Sequence, residues 1–241
     1  PLGASARKAI IVTGNTGFSA TALAAVLSDG TNYSTVVINS PTVNVATNGG
    51  LDAMEGALTL VGPAWLSVWG ICKADGSAPK ILCNYSDTTI TTFPAGYTQK
   101  ALLGHLRVTG GNLLMGSRQF GNDVQYILGL AQTTAATLLM ASGVVGNLNT
   151  PTWGAVSVLN FVPPTAMRVR GALKGFNNGA MAAPNNSYAG MNSVGDGPPV
   201  SNSSTVSWAI PFDFLLEGNN IYWASDSANG NLRCLGYTEN L

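Results

Sequence analysis

Downstream of residue 30 the apolar positions either alternate with polar ones or fall in short runs bounded by Gly, Asn, Asp and Pro. That pattern predicts β-strands punctuated by turns. Thr35-Val36-Val37-Ile38 and Thr42-Val43-Asn44-Val45 read as strands, the second in strict alternation. Trp65 to Ile71 and Lys80 to Tyr85 flank the turn-rich Ala74-Asp75-Gly76-Ser77-Ala78-Pro79, which predicts a hairpin. Ala101 to Val108 and Leu113 to Phe120, around Gly110-Gly111-Asn112, predict another. Further strands are expected at Val124 to Leu130, Thr137 to Ala141, Ala155 to Phe161, Met167 to Leu173, Val206 to Pro211, Asn220 to Ala224 and Leu232 to Tyr237. The last two enclose the polar stretch Ser225 to Gly230, expected to close a C-terminal hairpin. Strands recurring at about 8 to 15 residues predict an all-β chain, an antiparallel β-sandwich of jelly-roll type, as one domain over residues 21–241.

The stretch KAIIVTGNTGFSATALAAVL, Lys8 to Leu27, reads differently. An apolar run meets a glycine turn and then a possible helix, and Thr13-Gly14-Asn15-Thr16-Gly17 with Ala20 resembles the dinucleotide-binding turn of short-chain dehydrogenases. Its context opposes a cofactor. No second helical segment follows, the stretch ending Val37-Ile38-Asn39-Ser40 has no acid for a ribose hydroxyl, and no Tyr has Lys four positions later. Two strands, Ala22 to Leu27 and Thr31 to Ile38, joined at Ser28-Asp29-Gly30, fit better, with residues 6–20 as a connecting segment. A short helix over Ala20 to Leu27 stays open, and no cofactor is expected.

Composition narrows the function classes. Eleven Lys and Arg balance eleven Asp and Glu, and only 9% of residues are charged, against about 25% in typical soluble domains. Nothing recruits nucleic acid or an anionic membrane by charge. Near-zero net charge favours association, which points to a homo-oligomer. Tyr126 to Gly146 is apolar, yet Gln132, Thr133, Thr134 and Ser142 argue against a spanning helix, so no membrane insertion is expected. Cys72, Cys83 and Cys234 are too few and scattered for a disulfide scaffold, and with His105 the only histidine no structural metal is expected. Pro1 to Ser5 reads as the remnant of a cleaved expression tag.

Lys174 to Ser204, dense in Gly, Asn, Ser and Pro, reads as one long loop and hence as a recognition surface. Candidate ligand-binding residues are Trp153, Phe176, Asn177, Asn178, Asn185, Asn186, Tyr188 and Asn192. The aromatic rings of Trp153 and Tyr188 suit stacking on a sugar face, with packing as the first reading of both. Catalytic residues are not expected. His105 lacks a serine in a nucleophile elbow and reads as a hydrogen-bonded strand residue. The close carboxylate pairs, Asp52 with Glu55 and Asp213 with Glu217, read as solvation. Trp65 and Trp69 share a strand face and read as packing, and Arg168 and Arg170 share another and read as solvated.

Several phrases resemble those of bacteriophage tail-fibre and tail-associated receptor-binding proteins: Asp29-Gly30-Thr31-Asn32-Tyr33, Ala64-Trp65-Leu66-Ser67-Val68-Trp69-Gly70-Ile71, Phe93-Pro94-Ala95-Gly96-Tyr97, Phe161-Val162-Pro163-Pro164 and the closing Leu235-Gly236-Tyr237. The resemblance spans roughly residues 21 to 241 and lies in turn-and-strand phrases. It implies a homotrimeric β-domain of the virion, at the host-contacting end of the tail. Its partners would be other tail proteins and a host-surface glycan or outer-membrane protein, bound without catalysis. The alternatives are a structural connector or decoration protein and a tail-spike polysaccharide depolymerase.

Overall fold

A computed structural model describes residues 8–127 and 138–241. The described residues form seventeen β-strands and no helix, so the chain is all-β as expected. Where the sequence reading places one domain over residues 21–241, the contacts define two compact units, Pro1–Ala135 with Leu241, and Ala136–Asn240. Each contains its own cluster of buried apolar side chains.

The N-terminal unit contains β1 (Lys8–Val12), β2 (Gly17–Ser28), β3 (Tyr33–Asn44), β4 (Ala53–Met54), β5 (Ala64–Lys73), β6 (Lys80–Asn84), β7 (Tyr97–Val108), β8 (Ser117–Phe120) and β9 (Asp123–Tyr126). They run in the order β9-β8-β1-β2-β7-β5-β6-β4, with β3 also on β2. All pairings are antiparallel except β4 with β6. Successive β5 residues face opposite sides: Leu66, Val68 and Cys72 enter one apolar cluster, and Trp69 and Ile71 another. With both faces covered, this strand is a near-continuous apolar run.

Of the segment 6–20 expected to be a connector, the described residues, 8–20, belong to a hairpin. Lys8 to Val12 pairs with Phe18 to Ala22, and Ile10, Val12, Phe18 and Ala20 are buried. The glycine turn is a hairpin turn, closed by the Thr13 and Gly14 amides on the Gly17 carbonyl at 3.0 and 3.1 Å. The helix over Ala20 to Leu27 is excluded too, because these residues lie in β2. A register shift between Ala22 and Ala25 moves burial from even to odd positions, which blurs the period-two signal. The Asp29-Gly30 turn is as expected, with Asp29 Oδ1 accepting from the Thr31 and Asn32 amides at 2.9 and 2.7 Å.

The β5–β6 hairpin also forms as expected, from Ser67 opposite Asn84 to Ile71 opposite Lys80. The next one is cut short. Val108 bridges Leu114 across the Gly110-Gly111-Asn112 turn, but β8 then leaves β7 to pair with β1 and β9.

The C-terminal unit contains β10 (Leu139–Ser142), β11 (Gly154–Ser157), β12 (Ala166–Gly175), β13 (Asn178–Ala183), β14 (Val200–Ser204), β15 (Trp208–Leu215), β16 (Asn220–Ser225) and β17 (Asn231–Glu239). One group pairs as β15-β12-β17 with β10 on β17, and a separate sheet runs β11-β16-β13-β14. The expected C-terminal hairpin does not exist. β16 pairs with β11 and β13, whereas β17 pairs with β10 and β12, so residues 226–230 cross between sheets.

The long loop predicted over 174–204 is shorter than expected. Asn178–Ala183 is a strand buried at every position, between β14 and β16. Its asparagine and glycine suggest a loop, but Ala180, Met181, Ala182 and Ala183 have no exposed surface. Irregular chain remains at 176–177 and 184–199. The predicted strand residues 128–130 and 137 lie outside the described residues.

Candidate functional site

Three strand ends of the C-terminal unit meet around Gly179. β12 stops at Gly175, and Asn177, in the left-handed region at φ 50°, turns the chain into β13. The register sets Asn178 opposite Ser204, Gly179 opposite Ser203 and Ala180 opposite Ser225. The end of β14 and the residue after β16 are thereby brought beside the start of β13. Between them lies an open cleft of about 540 Å³, lined by Asn177, Asn178 and Gly179, by Ser203, Ser204 and Thr205, and by Asp226.

Asp226 is fixed by Gly179. The Gly179 amide donates to Asp226 Oδ1 at 2.9 Å, and the Asp226 amide donates to the Gly179 carbonyl at 3.3 Å. That leaves Oδ2 of an exposed carboxylate as an acceptor. A Cβ on Gly179 would lie 2.5 Å from Leu148 Cδ1 and 3.2 Å from Asp226 Oδ2, so a side chain at 179 would crowd the carboxylate. Asn177, Ser203 and Thr205 expose an amide and two hydroxyls around it. The Ser204 hydroxyl is engaged, accepting from the Val206 amide at 3.3 Å.

Asn178 forms the buried back wall, 6% exposed, with Nδ2 donating to the Gly179 carbonyl at 3.3 Å. Its Oδ1 has no partner among the described residues. It sits where a Cβ on Gly175 would be 2.0 Å away, so glycine at 175 is what admits the amide. Phe176 is 51% exposed beside Asn177, and Asn229 Nδ2 donates to its carbonyl at 3.2 Å.

Of the predicted residues, Asn177 and Asn178 line this cleft and Phe176 adjoins it in sequence. The others lie elsewhere. Trp153 packs against the Leu148, Met181 and Ala224 cluster, and its Nε1 donates to the Tyr188 carbonyl at 3.2 Å. Asn192 Nδ2 donates to Asn149 Oδ1 at 2.7 Å, and Asn185 Nδ2 donates to both Glu217 oxygens at 3.0 and 2.9 Å. These three pairings staple the 184–199 segment to its surroundings, and Asn186 is exposed without lining the cleft. The sequence reading missed Ser203, Ser204, Thr205 and Asp226. Ser203 and Ser204 lay in the segment it singled out, and Asp226 in the polar stretch it assigned to a hairpin.

The other candidates have structural partners. His105 is fully buried, its Nε2 2.9 Å from Asp87 Oδ1, which also accepts from Ser67 Oγ at 2.7 Å. Serine and histidine thus both bond to the same aspartate oxygen. The His105 hydrogen bond is the largest influence holding the Asp87 carboxyl below its ordinary value, against partial burial, with Ser67 adding to it. Asp52 pairs with Lys80 at 2.8 Å, and Arg168 Nε donates to Asp213 Oδ1 at 2.9 Å, so Arg168 has an acid on the neighbouring strand that the sequence reading did not see. Glu55, 4% exposed, accepts from Asn84 Nδ2 at 2.6 Å and from the Thr91 and Thr92 amides, at the floor of a cleft of about 520 Å³ in the N-terminal unit. The Trp65 and Trp69 rings lie under Arg107 and Lys100, at 5.4 and 4.8 Å. All three cysteines are buried and free, and burial pushes the Cys234 thiol up to about 12.

No family model, curated protein or solved structure matches the chain.

Proposed function

We propose that this chain is a non-enzymatic receptor-binding module of a bacteriophage tail that recognises a host-surface glycan through the cleft around Gly179. The observation that supports this most directly is the cleft's lining. An exposed amide, two hydroxyls and a fixed carboxylate oxygen converge from three strand ends of one unit. Such groups match sugar hydroxyls, which both donate and accept hydrogen bonds. Asp226 is the one titratable side chain in the lining, so this surface lacks the pair of carboxylates that glycoside hydrolysis ordinarily uses.

The wider reading adds the resemblance to tail-fibre proteins and the sparse, balanced charge, both of which suit a virion component. The two sheets of the C-terminal unit would pack as a jelly-roll-like sandwich. Three copies would assemble into a trimer, in contact with other tail proteins. A shallow polar cleft binds a sugar weakly, and several copies on one particle compensate through avidity.

The test is adsorption of the fluorescently labelled protein to a panel of bacterial strains. A strain that binds is then treated with periodate, which cleaves sugar diols, or with protease. Loss of binding after periodate and retention after protease is the expected result. The reverse pattern would overturn glycan recognition.

A further inference from the structure

We infer that the cleft around Gly179 selects an uncharged sugar and rejects sugars bearing carboxylate, sulfate or phosphate. This rests on the glycan reading and specifies the chemistry of the same site. Asp226 is the single charged side chain among the lining residues, and it is an anion. It is anchored through Gly179. The Gly179 amide donates to Oδ1 at 2.9 Å and the Asp226 amide donates to the Gly179 carbonyl at 3.3 Å, which anchors the exposed carboxylate in the cleft lining with Oδ2 as an acceptor.

A fixed carboxylate oxygen accepts from a sugar hydroxyl, and a carboxylate acceptor makes a stronger bond than a neutral one. The neighbouring Asn177 amide and Ser203 and Thr205 hydroxyls can serve an adjacent hydroxyl as donor or acceptor. An anionic group in the same place finds no cation in the lining and repels Asp226. Sugars that differ only by an acidic substituent therefore bind at least about tenfold apart, a repulsion softened by solvent and salt.

The experiment is an array of immobilised bacterial and synthetic glycans, probed with wild-type protein, Asp226→Asn and Ser203→Lys at low salt. Asp226→Asn retains Oδ1 and with it the bond from the Gly179 amide, and Ser203 is exposed, so both variants can fold. Wild type is expected to bind neutral glycans at least about tenfold better than their acidic counterparts. Asp226→Asn should bring the two within about threefold, and Ser203→Lys should shift the ratio toward acidic glycans by about tenfold. Preference of wild type for acidic glycans, or an unchanged ratio in both variants, would overturn the selectivity while leaving glycan recognition standing. Binding to cells with no glycan of either class bound would overturn both.

Discussion

Gly179 and Asp226 are bonded twice, amide to carboxylate at 2.9 Å and amide to carbonyl at 3.3 Å, and this couples the start of β13 to the turn after β16. A Cβ at 179 would fall 2.5 Å from Leu148 Cδ1 and 3.2 Å from Asp226 Oδ2, crowding the pairing. Gly179→Ala should therefore displace Asp226 and reduce glycan binding at least about tenfold, with a stability loss of roughly 1–3 kcal/mol from overpacking. Parallel binding and urea titrations check both effects.

Trp153 separates packing from recognition. Its ring packs in the Leu148 cluster, and its indole nitrogen donates to the Tyr188 carbonyl at 3.2 Å. Trp153→Phe retains most of the packing and loses the bond, so stability should fall by about 1 kcal/mol. Glycan binding should not change. A loss of binding in a variant that remains folded would place Trp153 in contact with the ligand.

Glu55 is a clamp in the N-terminal unit, its carboxylate satisfied by Asn84 and by the Thr91 and Thr92 amides. Glu55→Gln turns an NH₂ group toward donors and leaves buried bonds unmade. The expected cost is about 2–3 kcal/mol in denaturant unfolding, and glycan binding by folded protein should be unaffected.

Asp87 makes stability depend on acid. Its carboxyl titrates below the ordinary value in the folded protein, chiefly through the His105 hydrogen bond. The unfolded chain therefore takes up the proton first as pH falls. This contribution is complete above about pH 4, the ordinary aspartate range, and is lost as pH drops through the lower folded value. Asp87→Asn should lower the melting temperature at pH 7 and flatten its fall as pH drops below about 4, the ordinary aspartate value. Thermal melts across that range check the sign.

Local rules made much of the N-terminal unit legible in the sequence. The β5–β6 hairpin and the Asp29-Gly30 turn follow from alternation and turn chemistry confined to about twenty residues. What failed depended on long-range pairing. The 117–120 segment leaves its hairpin partner for β1, and 220–225 and 231–239 join different sheets, choices that no local window contains. The Asn178–Ala183 strand was hidden by small residues, since alanines carry little hydrophobic signal yet pack where β13 lies between two strands. The cleft was half legible for the same reason. Asn177 and Asn178 stood in a conspicuous polar segment, whereas Asp226 reaches them only through the register of β13 with β16.

Glycan recognition at Gly179 is tested most directly by removing the cleft's exposed hydrogen-bonding groups while leaving its frame intact. Asn177→Gly, Ser203→Ala and Thr205→Ala, combined in one protein, remove exposed side chains only and retain the Asp226–Gly179 pairing. With circular dichroism and melting temperature matching wild type, binding to a strain whose adsorption is periodate-sensitive should fall by at least about 100-fold on the multivalent surface. Undiminished binding by the folded triple variant would contradict the assignment of recognition to this cleft.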